Sequence, residues 1–251
     1  MKTLKYTILA SILAIAASLT AAGRNTEKLV FDLHAGINIG GTTPMPFPVE
    51  IREIRGFNPL FLPYLEGNVT FWPDAGRWGI TSGLRFEYKG MKTVAGVKNY
   101  SMEIIGDDGS RMAGVWTGTV ATRMKSSYVT IPVLAAFKAT DRIHVKAGIF
   151  ASFLMDGDFG GQVYDGYLRV GDPTGDKINF SDGAVATYDF SNEMAPAGYG
   201  VQLGADWRFR ERLKLYADLS WALSDAFKKS FNTITFSMYP VYARLGVGYS
   251  F

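Results

Sequence analysis

Eight stretches of this chain alternate with a period of two, and in all eight the charged residues keep to one parity while the other parity carries none. Period two is the repeat of a β-strand, whose successive side chains face opposite sides of the sheet. The runs are Leu29 to Gly40, Leu60 to Trp72, Arg77 to Lys89, Tyr128 to Ala139, Arg142 to Met155, Gly198 to Phe209, Leu213 to Ser224 and Met238 to Phe251. In the last of them Val241, Ala243, Leu245, Val247, Tyr249 and Phe251 oppose Tyr242, Arg244, Gly246, Gly248 and Ser250. A water-facing surface has no reason to exclude charge completely. A lipid-facing one does, because a charge at the bilayer midplane costs about 2–4 kcal/mol. The pattern predicts an all-β fold, a transmembrane antiparallel up-and-down β-barrel of eight strands. The reverse assignment, a soluble barrel with the apolar parity inside, would have to pack Trp78, Phe86, Phe153, Trp207, Trp221 and Phe251 into one narrow interior.

The connections alternate in length. Tight turns join runs two to three (PDAG), four to five (TD) and six to seven (RERL), and long polar segments join the others. Short periplasmic turns alternating with long outer loops is the pattern of an outer-membrane barrel with both termini periplasmic. That orientation sorts aromatic residues into two belts, Phe71, Trp78, Phe137, Trp207, Phe209 and Phe251 below and Phe61, Tyr88, Phe153, Tyr199, Trp221 and Tyr239 above. Pro132 lies mid-strand on the inward parity, where it removes a ladder hydrogen bond, and reads as a bulge. Tyr249 and Phe251 form an aromatic terminus that reads as a signal to the barrel-assembly machinery.

At the other end, Lys2 and Lys5 precede the uncharged run TILASILAIAASL and the small residues Thr20 to Gly23, a signal peptide over 1–22 leaving a single barrel domain over 23–251. The apolar run is shorter than the roughly 20 residues of a spanning helix. Two of the 26 basic residues are those lysines, so 24 face 23 acidic ones, and no case for nucleic acid follows. The chain has no Cys, which excludes disulfides, a thiolate metal site and lipoprotein acylation. No cofactor is expected.

The inward parity holds a charge ladder, Glu66, Arg85, Glu87, Lys146, Asp206, Arg208, Lys214, Asp218 and Arg244, together with Asp32 and Lys138. Counting back from the turns sets Glu66 diagonal to Arg85, Asp206 near Lys214 and Asp218 diagonal to Arg244. Such a ladder either fills a narrow barrel or gates an ion path. His34 falls mid-strand toward the lumen and His144 just past a tight turn, neither at the outer rim where a lipid- or peptide-cleaving base would act. The segment from Asp156 to Ala195 is rich in Asp but lacks the spacing and closing Glu of a calcium loop. The proline-bearing stretch Gly41 to Asn58 and the basic, aromatic stretch Arg111 to Lys125 read as loops for partner or lipopolysaccharide contacts.

The stretch SSYVTIPVLAAFKATDRIHVKAGIFASFL, with AGYGVQLGADWRFRERLKLYADLSWALSDAF and the aromatic last strand, resembles the PorT-like outer-membrane barrels of the Bacteroidetes lineage. The resemblance covers the second half well and the first three strands only in general character. It implies an eight-stranded barrel, and by its namesake an accessory role in protein secretion. The expectation is therefore a non-enzymatic scaffold or accessory of envelope assembly or secretion, placed among outer-membrane lipid and lipopolysaccharide. A small channel for ions or solutes and a rim hydrolase are the alternatives.

Overall fold

The computed structural model describes residues 28–73, 76–106 and 109–251; the expected signal peptide lies outside them. Among the described residues ten strands form: β1 Leu29–Pro44, β2 Ile51–Pro59, β3 Leu62–Phe71, β4 Trp78–Ile105, β5 Arg111–Lys138, β6 Ile143–Val170, β7 Lys177–Asp189, β8 Ala197–Arg208, β9 Leu213–Ala222 and β10 Met238–Ser250. Eight of them close a ring in the order β1–β3–β4–β5–β6–β8–β9–β10, and β10 returns to β1 over the register from Asp32↔Ser250 to Pro44↔Met238. Each of these eight covers most of one of the eight alternating runs. Within the lipid band closure leaves the ring without a free edge, so its backbone groups are paired where no water reaches them.

The two parities separate as the charge pattern requires. Trp78 is 64% exposed, Phe251 61% and Leu203 57%, while the side chains of Arg85 and Arg244 are wholly buried inside the ring. This excludes the barrel with its apolar parity inside. Phe71, Trp207 and Phe209 are exposed at the short-turn end, and Phe61, Tyr88, Phe153, Tyr199 and Trp221 at the opposite edge of the band. The ten residues of β3, tilted about 40°, rise about 25 Å, the height of a lipid-facing band.

The long connections differ from the loops expected of them, because most of their length is strand. β4, β5 and β6 each run 28 residues, more than twice what the band needs. Arg111 to Lys125 belongs to β5, and the segment after Met155 continues β6 into the hairpin with β7. β2 pairs with β4 directly above β3, so the two act as one interrupted strand. Where the runs leave the band their parity rule ends, and outward charges such as Lys92 and Arg123 follow. That change hid these strands in the sequence.

Bulges shape the raised sheet. Register shifts occur between Val97 and Tyr100, between Thr117 and Thr119 and between Tyr164 and Gly166, on three neighbouring strands. Asn99, Gly118 and Asp165 take positive φ there, at 55°, 151° and 49°. The aligned bulges reverse the inward parity of β4 and β6, which turns Met102, Ile104 and Leu168 inward, while β5 keeps its parity through Trp116, and together these residues continue a buried apolar core. By contrast Pro132, expected at a bulge, leaves the register unshifted: Ser82↔Val133 and Arg85↔Thr130 flank it in one ladder. Gly83 sits on the β4 side of that gap, and the Pro132 carbonyl accepts a hydrogen bond from Ser82 Oγ at 2.9 Å.

Candidate functional site

The interior is built in layers. At the short-turn end Trp72 is buried against Lys138, whose Nζ lies 4.2 Å from its ring centroid, and against His144 at 5.4 Å. Above this cap, Asp206 receives Lys146 Nζ at 2.7 Å and stands 3.1 Å from His144 Nδ1. Lys214 does not pair with Asp206 as the turn count implied; its Nζ donates to Asp32 at 2.8 and 3.0 Å. The reason is the register. Asp206 faces Tyr216, and Lys214 faces Gly248, which has no side chain to stop the lysine from reaching across β10 to β1. Ser250 Oγ donates to the same Asp32 carboxylate.

The middle layer centres on β4. Arg85 is directly opposite Glu66, not diagonal to it, and its Nη1 donates to Glu66 Oε2 at 3.2 Å. Both terminal nitrogens of Arg85 also donate to Gln202 Oε1 at 3.3 Å, and its Nε stands 3.4 Å from Glu87. Glu87 is the hub: it accepts from Thr130 Oγ1 at 2.7 Å, pairs with Lys89 at 3.0 Å and faces Arg244 Nη1 at 3.6 Å. Arg244 is directly opposite Asp218, again not diagonal, with Nε to Oδ2 at 3.6 Å. At that separation these contacts of Arg244 are Coulombic, not hydrogen bonds. Three carboxylates thus meet three cations in this layer, a balance that buried charge demands. Arg208, expected in the same ladder, is half-buried at the short-turn rim and forms no ion pair among the described residues.

Lys89 marks the boundary between polar and apolar interior. Its Nζ lies 5.2 Å from the Tyr128 ring, 5.9 Å from Phe150 and 5.5 Å from Tyr242. Beyond it Met91 and Met124 begin the apolar core, and the 223–237 connection folds in with Ala226, Phe227 and Ile234 buried. Asp225 holds that connection, its Oδ1 accepting from the backbone N–H of Phe227 and of Met238 at 3.1 Å. The lumen is therefore closed twice, by charge below and by hydrocarbon above. Around His34, Glu66 and Lys146 the remaining void is about 10 Å³, room for about one water.

Both histidines lie inside the ring and away from its outer rim. His34 is buried against Tyr216 with ring centroids 4.4 Å apart and Asn68 at 3.3 Å, and His144 is tied to Asp206. Neither lies near the long-hairpin end. Among the described residues no three His, Asp or Glu side chains are grouped to hold a metal. In the Asp-rich segment, Asp172 and Asp189 instead cap turns: Asp189 Oδ1 accepts from the Ser191 amide at 2.9 Å and hydroxyl at 2.6 Å. Those two hydrogen bonds hold the Asp189 carboxyl below the usual carboxylate range.

Sequence reasoning missed two features of the raised sheet. Lys92 stands directly opposite Arg123, a like-charge cross-strand pair, and Lys125 follows two residues on. All three are exposed on the outer face, just beyond Tyr88 of the aromatic belt. The second feature is a cavity of about 290 Å³ between β1 and β2. The signal for the first was present in the stretch Arg111 to Lys125, but reading that stretch as a loop left its facing undefined.

Several solved structures are similar to this chain at low sequence identity. Ail, the attachment invasion locus protein of Yersinia pestis, is 9% identical, covering 89% of this chain and 98% of that one with a TM-score of 0.38. OprG from Pseudomonas aeruginosa is 12% identical (88% and 95% covered, TM-score 0.36), and CarO2 of Acinetobacter baumannii 13% identical (88% and 99%, TM-score 0.40). A search of the curated proteins found no match. The family described as outer membrane protein beta-barrel domain matches over residues 21–228, most of the closed ring and the raised sheet. The chain belongs to that family, and the exposed apolar band around its charge-filled lumen is the surface that meets outer-membrane lipid.

Proposed function

We propose that the protein is a non-enzymatic anchor, a closed outer-membrane barrel that carries a rigid raised sheet for contacts with other envelope components. The observation that carries this reading is the closed lumen, where Arg85, Glu87 and Arg244 are entirely buried beneath an apolar core. A lumen without a water path does not conduct, and a base held inside it reaches no substrate. With both ends of the chain in the periplasm, β4, β5 and β6 project outward beyond the lipid. Scaffold or accessory work in envelope assembly or protein secretion, the role implied by the PorT-like resemblance, uses such a surface.

The basic outer face supports lipopolysaccharide as one of the contacts. Lys92 and Arg123 lie about 14 Å along the strands past Tyr88, at headgroup height, and a like-charge pair directly opposite is unfavourable until an anion joins it. Recording in planar bilayers tests the closed lumen: the reading expects no discrete conductance, and steady single-channel steps overturn it in favour of the small-channel alternative. Deleting the gene and comparing the surface proteome tests the secretion role, which expects exported proteins to accumulate in the periplasm.

A further inference from the structure

The wall of the barrel is incomplete above the lipid band, and the opening leads into hydrocarbon. β1 pairs with β3 only up to Asn38↔Leu62, whereas it runs on to Pro44. β2, the upward continuation of β3, pairs with β4 and not with β1. Between residues 39–44 and β2 there is thus a lateral seam. The backbone N–H of Thr42, which a neighbouring strand would otherwise take, points instead to Met91 Sδ at 3.2 Å.

Exposure shows that the seam is open. Cross-strand partners share a face, so Ile54, opposite Ala95, and Phe57, opposite Thr93, face the interior. Ala95 is buried as an interior residue should be, yet Ile54 is 49% and Phe57 53% exposed. Wall is missing beside them. The Phe57 ring leans across the gap, its Cε2 2.9 Å from where a Cβ at Gly41 would stand, so a larger residue at position 41 would meet it.

Behind the seam lies the cavity of about 290 Å³, near the lower end of small-molecule pockets at roughly 300 Å³. Met91, Ala95, Val97, Met102, Val120 and Phe159 form its inner wall. The Thr122 and Tyr188 hydroxyls there satisfy each other at 2.6 Å, and Thr42 Oγ1 donates to Met124 Sδ at 3.1 Å. Downward the cavity ends on the Lys89 layer, so an occupant enters from the side. At the foot of the seam stand Phe61 and Tyr88, exposed members of the lipid-facing belt, and above them the exposed Phe57, Ile54 and Phe47 continue one apolar track.

We infer that this cavity takes the hydrocarbon chain of an outer-leaflet membrane lipid, which enters through the β1–β2 seam past Phe57 while its polar head stays outside. Continuity with the lipid-facing band selects that occupant, and the reading is independent of the scaffold role proposed above.

The test is photo-crosslinking in vesicles of a phosphatidylcholine that carries a diazirine near the end of one acyl chain, with adducts mapped by mass spectrometry. Annular lipid reaches only outward residues such as Ile149 and Leu203. The inference expects additional adducts on the inward-facing Met91, Val97 or Val120, and a loss of tenfold or more in those adducts in Ala95→Trp, which fills the cavity, with adducts on the outer band retained. Adducts confined to outward residues overturn it, as does equal interior labelling in Ala95→Trp. A free fatty acid bearing the same diazirine is the second arm: interior labelling by the fatty acid alone overturns lateral entry from the bilayer. Retention of the heat-modifiable gel shift shows in each case that the variant is a folded barrel.

Discussion

Arg244 on β10 and Glu87 on β4 meet across the lumen at 3.6 Å, although two strands, β1 and β3, separate them in the wall. Both side chains are fully buried, so each is the other's compensation for lost water. Removing one partner of a buried pair leaves an unbalanced charge at a cost of about 3–5 kcal/mol. Glu87→Ala and Arg244→Ala are each expected to lower barrel stability by that order in urea titrations followed by tryptophan fluorescence. The double variant should cost less than the two losses together, because the groups share one network. Strict additivity would show that the cross-lumen contact contributes nothing.

Lys214 on β9 reaches Asp32 on β1 past Gly248 of β10, the residue that faces Lys214 on one side and His34 on the other. A Cβ at Gly248 would run into the His34 ring. Gly248→Val is therefore expected to destabilise the barrel at least as much as Lys214→Ala, by about 3 kcal/mol or more. The valine methyls are expected to displace Lys214 from Asp32, so adding Lys214→Ala to Gly248→Val should change stability far less than Lys214→Ala does alone. An unchanged effect of Lys214→Ala in the two backgrounds would refute the path across β10.

The outer basic face makes a separate prediction. Lys92→Glu combined with Arg123→Glu removes the opposed cations without touching the buried interior. Lipopolysaccharide retained through purification should fall severalfold while the unfolding midpoint stays within about 0.5 kcal/mol of the parent, as surface changes do. Retention equal to the parent would remove lipopolysaccharide from the contacts of this face.

The turn after β7 carries a pH dependence of known sign. Ser191 donates its amide and hydroxyl to Asp189, and its Oγ in turn accepts the Phe159 amide at 3.0 Å. The Asp189 carboxyl is held below its ordinary value, so the anchoring is fully present above about pH 3.9 and is lost as pH falls through the lower folded value. Amide exchange at Phe159 and Ser191 should accelerate in that acid window, beyond the intrinsic pH effect, and Asp189→Asn should show the faster exchange at neutral pH. Identical protection in parent and variant would contradict the role given to the carboxylate.

Much of the fold is written in the one-dimensional pattern. Charge confined to one parity in eight runs follows from the cost of charge in lipid, and it was enough to set the number of ring strands, their antiparallel order and which face of each looks inward. Glu66 with Arg85 and Asp218 with Arg244 were legible to within two residues: the short turn between β3 and β4 makes the register of the first pair countable, and the shared inward parity of adjacent strands brings the second pair close. Past the lipid edge the rule that wrote the pattern stops acting, and with it the legibility: the outer halves of β4, β5 and β6 carry charges outward, and β4 and β6 change parity at bulges. Only the closed tertiary structure decided which ends meet across the lumen, as in Arg244 with Glu87 and Lys214 with Asp32, since such contacts depend on ring curvature and on glycine gaps rather than on neighbouring register. It alone also decided that β1 and β2 part above Asn38, because a missing strand pairing is a property of the sheet and leaves no mark on the alternation of either strand.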